Sequence, residues 1–157
     1  MYTPNQHGYY PIQLIEQGIR PNDVNKIKFI EDHPKVAFIR KQKIEHILFF
    51  AFNDEKRTYS LFHTTSNQQS SVYWTKDDIT FALESSCGGK LIAVHNHPKI
   101  HRKFLFFTTA SDYPSVDDII AFRATARQLK QEGSLLLDSL IVADKKTISM
   151  KKLGYIV

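Results

Sequence analysis

The chain has 157 residues, a mass of 18.2 kDa, a formal charge of +5 and a sequence pI near 9.3, which suits one compact domain, since roughly 150 residues bury about 68–70% of their unfolded surface without staples. Its single cysteine, Cys87, excludes an intramolecular disulfide and every zinc site that draws two thiolates from this chain, so any metal must sit on imidazole and carboxylate. The excess of 21 Lys+Arg over 16 Asp+Glu is divided among small clusters (Lys35/Arg40/Lys41/Lys43, Lys99/Arg102/Lys103, Arg123/Arg127/Lys130 and Lys145/Lys146/Lys151/Lys152), and charge alone selects no partner.

Residues 1–20 read as an N-terminal arm or a short helix around the apolar stretch Ile12 to Ile19. From residue 21 onward the chain reads as one domain. A helix is expected after Pro21, capped by Asn22 or Asp23, with Val24, Ile27 and Phe29/Ile30 inward and Pro34 as its stop. Val36–Arg40 and Glu45–Phe52 carry β-branched and aromatic residues and read as strands. Asn53-Asp54-Glu55-Lys56 has the turn chemistry to join the second of these to Thr58–Thr64 as a hairpin. The longest apolar run, Ile47–Phe52, is far short of the roughly 18 residues that span a bilayer, and the first residues lack a signal peptide's regions. A soluble, cytoplasmic protein is the expectation.

A polar loop, Thr65–Ser71, precedes Val72-Tyr73-Trp74 and a helix over Lys76–Ser86 with Thr75 as N-cap and Gly88-Gly89 at its end. Trp74 reads as core, and Cys87 as a small hydrophobe in the helix-ending loop. Leu91–His95 is a β-branched run suited to a buried central strand that ends in His95-Asn96-His97-Pro98. The segment 99–113, basic and then aromatic with Phe104-Leu105-Phe106-Phe107, is an insertion, either a self-packed hairpin or an exposed lid. Pro114-Ser115 then opens a long helix with Ile119, Phe122, Ala126 and Leu129 on one face and Gly133 at its C-terminus. Leu135–Val142 and Thr147–Met150 follow as strands. The expected fold class is α/β (α+β), a mixed, mainly antiparallel central sheet flanked by helices.

Side chains two apart on extended backbone point the same way, so His95 and His97 can converge on one point. Asp118, in the first turn of the helix after the insertion, offers a third ligand, and two imidazoles with one carboxylate and an open position describe a hydrolytic zinc site. Each part also has a plainer reading. His-x-His before proline can be a polar loop, and Ser115-x-x-Asp118 is also a capping-box sequence. The ordered conjunction favours the metal.

His95-Asn96-His97-Pro98, then Pro114-Ser115-Val116-Asp117-Asp118, a long helix and Leu136–Val142 resemble the JAB/MPN (JAMM) zinc metallopeptidase domain, in the wording of its RadC-like and bacterial deubiquitinase-like branch. The resemblance covers roughly Val24 to the C-terminus and implies a cytidine-deaminase-like architecture. It implies Zn2+ on His95, His97 and Asp118, an oxyanion-stabilising Ser115, and a glutamate as general acid/base. Glu45, before an apolar strand and a turn containing Asp and Asn, is the choice over Glu55 and Glu84; its plainer role is a strand-edge acid beside Lys41 or Lys43. The sequence departs from the RadC-like pattern in the length of 99–113, in Lys99-Ile100 and in Asp138-Ser139. The activity implied is hydrolysis of an amide or isopeptide bond at the C-terminal tail of a ubiquitin-like protein or its conjugate, as in small bacterial deconjugation systems, including those in antiviral operons. An extended tail is expected to add to a strand edge in the Thr58–Ser71 region. The alternatives are a RadC-like protein associated with DNA repair or nucleic-acid binding, and a noncatalytic scaffold.

Overall fold

The structure, a computed structural model, describes residues 10–21, 23–65, 72–98, 113–143 and 145–156. The described elements run β1 (Gln13–Ile19), α1 (Lys26–Glu31), α2 (Pro34–Arg40), β2 (His46–Asn53), β3 (Thr58–Thr65), α3 (Lys76–Ser85), β4 (Lys90–Asn96), α4 (Val116–Gln131), β5 (Leu136–Val142) and β6 (Thr147–Ser149). Six strands form one sheet in the order β1-β3-β2-β4-β5-β6. Every pairing is antiparallel except β4 with β5, which α4 connects. A parallel pair needs such a crossover, because a tight hairpin can join only antiparallel neighbours. Among the described residues no helix is long and apolar enough to cross a membrane.

The run Ile47–Phe52 is continuously apolar because β2 is central and covered on both faces. Ile47, Phe49 and Ala51 pack with Ile79, Ala82, Phe122 and Leu129 of α3 and α4. Leu48, Phe50 and Phe52 pack on the other side with Ile30, Val36 and Ile39 of α1 and α2. The period-2 alternation of strand side chains thus divides one sequence run between two cores.

Several expectations are corrected. Val36–Arg40 is helix, not strand: Pro34 sits at the start of α2, where its missing N–H costs nothing, and the His33 ring caps the Lys35 amide at 3.0 Å. Val36 and Ile39, three apart, then share the face buried against the sheet. The N-cap of α1 is Asn25, whose side chain accepts from the Lys28 amide at 2.8 Å, rather than Asp23; Asn22 lies outside the described residues. The stretch Ile12 to Ile19 is no helix, since Gln13–Ile19 forms edge strand β1. Its side chains are mostly exposed, so it lacks the alternation that marks a half-buried strand. Its pairing covers β3 from Thr58 to His63, leaving no free edge there. Residues 66–71 of that region, and 99–112 of the insertion, lie outside the described residues. Cys87 is exposed in a turn with φ 55°, not packed as a small hydrophobe.

The α3–β4 turn is a tight fit. A Cβ at Gly89 would lie 2.5 Å from the Phe52 carbonyl oxygen. Gly89→Ala is therefore expected to cost about 1–3 kcal/mol, read as a lower urea midpoint at unchanged m-value.

On the sheet face that carries α2, His46 and His63 stack with centroids 5.1 Å apart, and His46 Nδ1 lies 2.8 Å from His63 Nε2. Burial foremost, with Lys35 adding, brings His46 down to about 4; burial, then His46 and Lys35, bring His63 down to about 3. Both are neutral in the fold at pH 7, whereas the unfolded chain protonates them near 6.5. Their contribution is present above pH 6.5 and is lost as pH falls from there toward 4. The urea midpoint should drop between pH 7 and pH 5, and drop less in the His46→Gln/His63→Gln double variant.

Candidate metal centre

The end of β4 and the first turn of α4 meet at one point. His95 is 1% exposed, held in β4 between Ile47 of β2 and Ile141 of β5, and its ring stacks on Phe122 of α4 at 5.4 Å. His97 follows on the same side of the chain. Their Nε2 atoms are 3.0 Å apart, and Asp118 Oδ2 lies 3.3 Å from that of His95 and 3.0 Å from that of His97. Two imidazole nitrogens and a carboxylate oxygen thus form a triangle with edges of 3.0 to 3.3 Å. In a tetrahedral zinc site with bonds of about 2.0–2.2 Å, ligand atoms are separated by about 3.3–3.6 Å. The triangle is slightly tighter than that, its longest edge reaching the lower end of the range, so its three atoms would spread a little to hold an ion and leave one position open. Each ring carries at most one Nε2–H, so protons can serve at most two of the three contacts, whereas a cation at the centre serves all three.

Asp118 also shows that the two readings of Ser115-x-x-Asp118 describe one structure. Ser115 Oγ accepts from the Asp118 amide at 3.0 Å, and Asp118 Oδ2 accepts from the Ser115 amide at 3.0 Å, a complete capping box. The same Oδ2 faces both histidines. Burial works against its charge, but the His95 and His97 rings and the Ser115 amide outweigh burial and hold the carboxyl well below the usual range. Ser115 Oγ spends a lone pair on the cap and keeps its own O–H free to donate.

Glu45 stands one residue before β2, in phase with Ile47 and so on the face of His95. It is 6% exposed, which excludes the solvent-facing strand-edge acid; Glu55 and Glu84, the other candidates, are on the surface. Burial first, and the Asp118 carboxylate second, push its carboxyl up to about 7, against an opposing pull from His97. Glu45, His95, His97 and Asp118 each offer a ligand atom within 4.8 Å of the others, and this buried group can hold a metal ion. All five residues singled out in the sequence therefore come together, four in this cluster and Ser115 at its rim.

From the cluster a cleft of about 280 Å³ runs between residues 72–76 and α4, lined beyond the ligands by Trp74, Ala121, Thr125 and Gln128. Trp74 is half-buried in this wall rather than enclosed in the core. Its Nε1 donates to Thr125 Oγ1 at 2.7 Å, and its ring leans on Phe122 at 4.7 Å. Phe122 is the residue whose role the sequence hid: its place on the apolar face of α4 was legible, but its stacking on His95 depends on where α4 crosses the sheet. Asp138, at the departure from the RadC-like pattern, belongs elsewhere. It accepts from the Ser149 hydroxyl and from the Ser139 and Lys151 amides, and so braces β5 against the turn after β6. His95 Nδ1 is buried with no partner among the described residues.

Compared with known proteins, the chain matches no family model and no curated protein.

Proposed function

We propose that the protein is a zinc-dependent (iso)peptidase of the JAB/MPN type, with the cytidine-deaminase-like architecture of that family, acting on an amide or isopeptide bond at the C-terminal tail of a ubiquitin-like protein. The observation that carries the reading is the triangle of His95, His97 and Asp118 with a fourth, buried carboxyl, Glu45, beside it. A structural site would close with a fourth strong ligand, whereas three ligands, a vacant position and a poised carboxyl suit hydrolysis.

His95, His97 and Asp118 would hold the zinc, which when bound supplies Lewis acidity, polarising the scissile carbonyl and lowering the pKa of water toward about 7. Glu45 takes a proton from the attacking water as the new C–O bond forms. It then delivers a proton to the amine nitrogen as the C–N bond breaks, so the same carboxyl acts as base and as acid. The Ser115 hydroxyl donates to the oxyanion that develops on the carbonyl oxygen. The cleft walled by Trp74 and the small residue Ala121 accommodates an extended tail running up to the cluster.

The test is zinc content after reconstitution, followed by incubation with fusions of ubiquitin-like proteins. One zinc per chain, and cleavage after the tail that a chelator abolishes, is the expected result. Absence of zinc, or cleavage unaffected in Glu45→Gln, His95→Ala and Asp118→Ala, overturns the reading; salt-dependent DNA binding that survives Asp118→Ala would favour a nucleic-acid function instead.

A further inference from the structure

Glu45 lies outside the regular ladder that positions the histidines. Backbone pairing between β2 and β4 runs only as far as Ile47 opposite His95, and pairing between β2 and β3 begins at His46 opposite Thr65. A residue just beyond a strand end ordinarily frays, because its backbone groups have no partners in the sheet. Here the side chain of Asn96, the central residue of His-x-His, takes over where the ladder stops. Its Oδ1 accepts from the His46 amide at 2.6 Å and its Nδ2 donates to the Ile44 carbonyl at 2.9 Å, the two bonds straddling Glu45. An asparagine amide has the donor, the acceptor and the planarity of a peptide group, and these two partners permit only one orientation of it. Asn96 thus acts as one more peptide unit of the ladder, placed by the residues on either side of it, His95 and His97. On the opposite side Thr65 Oγ1 donates to the Glu45 carbonyl at 2.7 Å.

We infer that Asn96 is a positioning residue that locks Glu45 to the metal-ligand strand, so that the spacing between carboxyl and metal is set by the strand end itself. The inference rests on the reading of Glu45 as the proton-transfer group. Asn96 is 1% exposed and its amide is turned to backbone, so it has no direct part in the chemistry. Its influence passes through one residue. Positional errors of about 1 Å in a catalytic constellation can cost on the order of 10²-fold in rate, which is the scale at which a loosened residue 45 matters.

Cobalt(II) substitution tests this without a substrate, because the visible spectrum of the bound ion responds to a carboxyl beside its open position. Glu45→Gln is expected to bind one cobalt per chain with an altered spectrum. Asn96→Ala should also bind one cobalt per chain, should shift the spectrum in the same direction, and should add nothing further when combined with Glu45→Gln. A wild-type spectrum in Asn96→Ala beside an altered one in Glu45→Gln overturns the inference and leaves the role of Glu45 standing. No cobalt bound by the wild type, or no spectral change in Glu45→Gln, overturns the underlying reading and the inference with it. Should Asn96→Ala not fold, Asn96→Asp decides the matter. It keeps the acceptor for His46 and loses the donor to Ile44, and its spectrum should lie between those of wild type and Glu45→Gln; an unchanged spectrum overturns the inference.

Discussion

Asp118→Ala is expected to empty the metal centre. It removes one corner of the triangle and the only anionic one, leaving two imidazoles 3.0 Å apart with no carboxylate between them. Loss of a mere outer-shell partner typically costs 10–100-fold in metal affinity, so loss of a ligand should cost more than about 100-fold. Metal analysis after dialysis should find one zinc per chain in the wild type and essentially none in the variant. The same change also removes one of the two capping-box bonds of α4, that of the Ser115 amide to Oδ2, at a cost of about 1 kcal/mol, while the residue-118 amide still donates to Ser115 Oγ. Asp118→Asn separates the two roles. Its amide oxygen can still accept from the Ser115 amide, so the variant should keep most of the apo stability while losing metal. Zinc retained at wild-type affinity in Asp118→Ala would remove Asp118 from the ligand set.

Glu45→Gln should do the opposite: keep the metal and lose turnover. General acid–base catalysis contributes typically about 10²–10⁴-fold, and a fall of that size in kcat with one zinc still bound is the expected result. The apo protein supplies an independent check. The Glu45 carboxyl is raised from 4.5 to about 7 in the fold. Its contribution is fully present below pH 4.5 and is lost as pH rises through 7, because the unfolded chain releases that proton first. Glu45→Gln removes this loss, so the variant should gain stability relative to wild type as pH rises from 5 to 8, measured as the difference in urea midpoints. Loss of zinc in Glu45→Gln would make Glu45 a ligand instead.

Much of the fold was legible where burial and local chemistry agree. Thr75 and Ser115 were readable as caps because a hydroxyl three residues before an acid satisfies two orphan amides at once, and both capping boxes are present. The hairpin from His46 to Thr65 followed from its turn residues and its two β-rich arms. Local signals failed where tertiary packing overrode them. Val36–Arg40 carries β-branched residues yet is helical, because Pro34 and the His33 cap start a turn whose apolar side the sheet then buries. Strand β1 was illegible for the converse reason: its ladder to β3 and the bonds of Glu16 with His33 and Tyr59 hold it, with little apolar burial to leave a pattern.

The sequence by itself determined the chemistry available to this protein. One cysteine directed any metal to imidazole and carboxylate, and His95, His97 and Asp118 could be named from spacing, since two residues apart on a strand and the first turn of a helix are local relations. Only the tertiary structure decided the rest. Glu45, already preferred to Glu55 and Glu84 in the sequence, is separated from His95 by fifty residues of chain, and its place beside the histidines depends on which strand lies beside β4, on the phase of β2, and on a buried asparagine that carries the ladder one step past its end. The +5 charge, by contrast, gained no structural role in the centre. Spacing along the chain can state which side chains share a face, but the distance between faces is set by packing, and catalysis depends on that distance.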